Sequence, residues 1–105
     1  MRFENKMNLQ EMEKNAPKAV ALLKAMANER RLQILCILHD CELSVGELCE
    51  KLDLSQSALS QHLAWLRRDG LVGTRKEAQT VFYSLHSTEV KQMIHLLHNM
   101  YCGVE

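Results

Sequence analysis

Leu9, Met12, Val20, Leu23 and Met26 recur at roughly helical intervals, so the start of the chain reads as a helix with one apolar side. Pro17 falls within that stretch and either kinks it or opens its second half at the first helical position, where a missing N–H costs least. Asn28 is placed to cap a following helix that carries Leu32, Leu35, Cys36 and His39. Ser44-Val45-Gly46-Glu47 has the form of a capping box, opening a short helix that buries Val45, Leu48 and Leu52. Ser55 caps the next helix, which turns Leu59, Leu63 and Leu66 inward and ends at Gly70. With only Asp53 and Leu54 between them, these two helices predict a helix-turn-helix. Beyond Gly70 the period shortens. Residues 71–76 and 80–85 are rich in Val, Thr, Phe and Tyr, and Glu77-Ala78-Gln79 suits the turn of a hairpin. Ser87 then caps a last helix with an apolar stripe of Val90, Ile94, Leu97 and Tyr101 beside a second stripe of Lys91, His95, His98 and Cys102.

The predicted fold is therefore mainly α with a small β-hairpin wing: a winged helix-turn-helix. At 105 residues, with no internal repeat or low-complexity linker, the chain is expected to form a single domain over 1–105, which excludes a multidomain enzyme. A chain this short buries only about 60–65% of its unfolded surface, which favours a partner, often a second copy. No apolar run approaches the roughly 20 residues of a membrane span, and MRFENKMNLQ has no signal-peptide core, so a cytoplasmic protein is expected. The net charge is zero, but it is unevenly spread: +3 over 1–31, −4 over 32–53, +2 over 54–80 and −1 thereafter. The basic excess thus includes the predicted second helix of the helix-turn-helix and the wing.

That helix leaves Gln56, Ser57, Ser60, Gln61, Ala64, Arg67 and Arg68 facing outward or sideways. Gln presents a donor and an acceptor together to adenine, Ser serves base edge or phosphate, and the terminal Arg pair suits backbone oxygens. Because the start of a second helix approaches base edges, Gln56, Ser57, Ser60 and Gln61, with Ser55 ahead of them, are the expected readers of double-stranded DNA. His62 is a core-edge or phosphate contact, and Arg75, Lys76 and Gln79 on the wing suit adjacent phosphates or the minor groove. A solvated polar face, or a winged helix that docks another protein, remains the plainer alternative. Enzyme chemistry has no foothold. There is no Gly-rich phosphate loop and no GxSxG, and Ser55, Ser57 and His62 share a helix geometry unsuited to a triad.

The segment ELSVGELCEKLDLSQSALSQHLAWLRRDGLV, with VFYSL behind it, resembles the ArsR/SmtB family of small winged-helix repressors, and NLQEMEKNAPKAVALLKAMANERRLQILC is similar to the haemolysin-gene regulators within it. The resemblance implies a homodimer through the first and last helices (regions 1–27 and 87–105, flanking a DNA-binding core and wing over 28–86). It also implies an inverted-repeat operator and control of virulence or haemolysin genes. Metal-sensing members carry ligands at positions that align here with Ser44 and Gly46, or with Ser87, Glu89, Met100 and Gly103. Ser44, Gly46, Met100 and Gly103 lack a suitable donor and Ser87 is a poor one, so no metal and no cofactor are expected.

Four cysteines without a CxxC, in a reducing compartment, argue against structural disulfides. In the thiol-sensing branch of the same family one cysteine lies on the helix before the helix-turn-helix and one on the last helix. Cys36 and Cys102 resemble that arrangement, which implies a switch driven by an oxidant or reactive sulfur species. Partly exposed thiols beside His39, His95 or His98 suit such chemistry, and a retained extra sulfur would relax the tight geometry of a direct disulfide. The alternatives are that Cys36 is a small core residue and Cys102 an inert thiol, or that His95, His98 and Cys102 bind a metal as a responsive trio. Cys41 and Cys49 are available to compete in exchange.

Overall fold

The computed structural model describes residues 7–102; residues 1–6 and 103–105, Gly103 among them, lie outside the described residues. Five helices and three strands follow in the order α1 (Leu9–Met26), α2 (Glu29–Leu38), β1 (Leu43–Ser44), α3 (Val45–Leu52), α4 (Gln56–Arg68), β2 (Val72–Glu77), β3 (Thr80–Leu85) and α5 (Thr88–Tyr101).

Each helix begins where a short polar side chain can accept a free N–H. Asn8, Asn28, Ser44, Ser55 and Ser87 accept from the backbone of Glu11, Arg31, Glu47, Ala58 and Val90. At α3 the box is reciprocal: Glu47 N–H donates to Ser44 Oγ at 3.2 Å, and Ser44 N–H to Glu47 Oε1 at 2.9 Å. Gly70, at φ +80°, ends α4. Its N–H donates to the Arg67 carbonyl at 3.0 Å and that of Leu71 to Leu66 at 2.9 Å, the paired bonds of a glycine-terminated helix. Pro17 neither divides α1 nor opens a second helix; the helix is continuous from Leu9 to Met26 with the proline inside it.

The sheet order is β1-β3-β2, all antiparallel. The hairpin is tighter than its sequence suggested. Glu77 pairs with Thr80, leaving Ala78 and Gln79 as the turn, with Ala78 at φ 57°. β1 was not anticipated, because two residues carry no period; it exists because Leu43 and Ser44 lie against Tyr83 and Phe82.

Ile34, Leu35, Leu38, Leu48, Leu59, Leu63, Leu66, Val72 and Val90 fill the centre of the core. The inner face of α2 is therefore Ile34, Leu35 and Leu38, while Cys36 is exposed and Leu32 and His39 are half-buried. α1 sends only Ala25 and Met26 into this core. The radius of gyration is 16.0 Å, against about 13 Å for a compact chain of this length, and the longest dimension is 54 Å.

Candidate nucleic-acid interface

α4 stands on the core through Leu59, Leu63 and Leu66, one residue per turn, and this fixes what its other sides present. Gln56, Ser57, Ser60, Gln61, Ala64 and Arg67 are exposed. Asp53, in the left-handed region at φ 54° and ψ 48°, turns the chain from α3 into α4, and its N–H donates to the Cys49 carbonyl at 3.0 Å. Ser55 spends its hydroxyl on the Ala58 N–H at 3.1 Å and lies 3.4 Å from Ser57 Oγ.

Three of the expected contact residues meet neighbours within the fold. His62 is half-buried. Burial first, then the guanidiniums of Arg31 and Arg30, hold its pKa below the ordinary imidazole value, which disfavours the charged ring. Arg68 lies over the Trp65 ring at 4.1 Å with Arg31 at 5.4 Å from the same ring, and its Nε is 3.6 Å from Asp69 Oδ1. Arg75 is clamped. Its Nε and NH2 donate to Glu42, the shortest bond being 2.7 Å, and its NH1 donates to Glu77 at 2.9 Å. Lys76 and Gln79 are exposed on the wing, and Lys76 makes no ion pair among the described residues. Ser60, Ala64, Arg67 and Arg68 border a shallow groove closed by Tyr83 of β3, a neighbour that sequence spacing could not supply.

Cys36 and Cys102 are both exposed, Cys36 on α2 and Cys102 at the C-terminal cap of α5. Cys36 borders a cleft of about 300 Å³ shared with His39, Asp40, Ile94, His95, His98 and Asn99. Partial burial, and then the charge of a Cys102 thiolate, push its thiol pKa above the ordinary value. His39 stacks on His95 with ring centroids 6.2 Å apart and is 2.8 Å from Asp40 Oδ1. Among the described residues no three His, Cys, Asp or Glu side chains come together to hold a metal ion, so His95, His98 and Cys102 do not assemble the trio their spacing allowed.

Residues 28–74, from the cap of α2 into β2, match the bacterial regulatory protein family named arsR. The transcriptional activator HlyU of Vibrio cholerae serotype O1 is 82% identical over 96 residues, covering 91% of this chain and 89% of that protein. The chain belongs to the arsR family. Its relatives are transcriptional regulators that bind DNA, not enzymes. The fold agrees with solved members: reduced HlyU from Vibrio cholerae N16961 has 81% identity and a TM-score of 0.85, covering 90% of this chain and 99% of that one. The transcriptional repressor BigR from Xylella fastidiosa has 36% identity and a TM-score of 0.86, covering 93% and 100%.

Two of the side chains singled out by the sequence alignment serve as helix caps. Ser44 caps α3, Ser87 caps α5, and the Ser87 hydroxyl donates to Glu89 at 3.1 Å. The helix-turn-helix with its wing was legible in the sequence, as was the outward polar face of α4. The clamp on Arg75 was not, because Glu42 is 33 residues away in the chain and meets it only once the hairpin has folded back.

Proposed function

We propose that the chain is a HlyU-like regulator that works in the cytoplasm as a homodimer on an inverted-repeat operator, with control of virulence or haemolysin genes as its output. Gln56, Ser57, Ser60 and Gln61 read base edges, while Arg67, Lys76 and Gln79 hold the backbone. Ser55 acts mainly as the cap that aims these residues, and His62, Arg68 and Arg75 contribute through their packing. The observation that carries the reading is the row of exposed polar side chains on α4, braced by three buried leucines beside an exposed wing. Regions 1–27 and 87–105 supply the dimer contacts. In support, among the described residues every exposed large apolar side chain except Trp65 lies on α1, on α5 or just ahead of α1.

Cys36 and Cys102 form the effector site of this reading. The Cys36 thiolate attacks an organic trisulfide and displaces a persulfide; the Cys102 thiolate then displaces the remaining thiol and closes the disulfide. Two protein thiols lose two protons and two electrons, and the trisulfide is reduced to one thiol and one persulfide. A covalent tie between α2 and α5 changes how the dimerisation helix sits against the reading head and releases the DNA. Selecting bound fragments from a genomic library, with and without reductant, tests partner and switch together. An enriched palindrome that is lost on oxidation is the expected result; no enrichment under either condition refutes the reading.

A further inference from the structure

The fold holds a carboxylate clamp on the wing. Arg75 lies on β2 facing Phe82, with its guanidinium carbon 4.9 Å from that ring, and it is gripped from two sides. Glu42, in the loop ahead of β1, takes Nε and NH2 in a two-pronged pair at 2.7–3.1 Å, while Glu77, at the end of the same strand, takes NH1 at 2.9 Å. A planar fork matched to both oxygens of one carboxylate is the strongest pairing Arg makes at a surface, and it occupies the donors a phosphate would use. Both acids remain partly open to solvent, with side-chain exposures of 35% for Glu42 and 69% for Glu77, so a polyanion can compete for the same guanidinium.

Resting on the DNA-binding reading above, we infer that Glu42 sets the sequence-independent part of the DNA affinity by acting through Arg75: it withholds one wing cation from the phosphate backbone. Attraction to phosphates is indifferent to sequence, whereas contacts from the first turns of α4 are not. Cancelling Arg75 therefore lowers affinity for operator and random duplex alike, and leaves the ratio between them to the base contacts of α4. The grip also fixes the hairpin to the loop between α2 and β1, so the same pair positions the wing beside α4.

The test is fluorescence anisotropy of the full chain on its selected operator and on a random duplex across a salt series, comparing wild type, Glu42→Gln, Arg75→Gln and the double variant. Glu42→Gln should tighten random-duplex binding at low salt. It should also steepen the salt dependence by roughly 0.9 per protomer, about eightfold in affinity over a tenfold change in salt, and tighten operator binding by the same factor, so that the operator-to-random ratio is unchanged. In the double variant that gain should vanish. Glu77→Gln, which leaves the two-pronged pair in place, should give a smaller gain and serves as the second arm if Glu42→Gln melts early. Unchanged affinity and slope in Glu42→Gln and in Glu77→Gln, or a gain that survives without Arg75, overturns the inference while leaving DNA binding standing. A wild type that binds no duplex at low salt overturns both.

Discussion

Gln61 and Ala78 show how much a single residue carries here. Gln61 is exposed on α4 one turn beyond Ser57, where an amide can pair with adenine in two places. Gln61→Ala should cost about 1–3 kcal/mol of discrimination at one position per half-site and leave random-duplex binding unchanged. Competition titrations against single-base operator variants check this. Ala78 occupies the first turn position of the hairpin at φ 57°, a conformation in which Cβ crowds the following carbonyl. Ala78→Gly should raise stability by about 1 kcal/mol, read as a higher urea midpoint at constant m-value.

At the scale of elements, α5 departs most from its sequence pattern. Val90, Ile94, Leu97 and Tyr101 form one stripe by spacing, and the natural expectation is that this stripe makes the dimer. Instead the stripe changes role along its length. Val90 and Ile94 are 0% and 2% exposed inside the protomer core, Leu97 is half-buried, and Tyr101 is 80% exposed. Ile94→Ala should therefore lower stability by about 2–5 kcal/mol whatever the oligomeric state. Leu96→Glu with Met100→Glu, both at exposed positions of the same helix, should leave the fold intact by circular dichroism and shift sedimentation toward monomer. A wild type already monomeric at micromolar concentration would contradict the proposed dimer.

Over the whole molecule, the proposed thiol site would couple two helices far apart in sequence, α2 through Cys36 and α5 through Cys102. Thiolate is the attacking species, and the Cys36 pKa is raised, so less thiolate is present at neutral pH than on an unperturbed cysteine. The rate of trisulfide-driven linkage should accordingly climb as pH rises into the alkaline range. Cys102→Ser removes the like charge and should move the alkylation profile of Cys36 to lower pH, followed by mass spectrometry with Cys41 and Cys49 replaced by Ser. Cys36→Ser should keep operator binding and abolish release by trisulfide. A Cys36→Ser, Cys102→Ser double variant that still releases DNA would show that the response lies elsewhere.

Caps, periods and the glycine stop are local, and local signals survive in a one-dimensional record. Asn28, Ser44, Ser55, Ser87 and Gly70 each act on groups within five residues, so five helices and a hairpin were readable, and with them the polar face of α4. Periodicity states that a face is apolar but not what covers it. That is why spacing put Ile94 and Tyr101 in one stripe without showing that the first is core and the second exposed, and why Cys36 on α2 read equally as core or sensor until the fold left it exposed. Long-range pairing was the tertiary structure's alone to decide. Glu42 reaches Arg75, Tyr83 closes the groove beside Arg67, burial and then Arg31 and Arg30 lower the pKa of His62, and Leu43 joins the sheet, because the hairpin and helices pack around one core of leucine, isoleucine and valine. Charge is short-ranged at a wet surface, so the electrostatic role of a side chain depends on which neighbour that packing brings within a few ångströms.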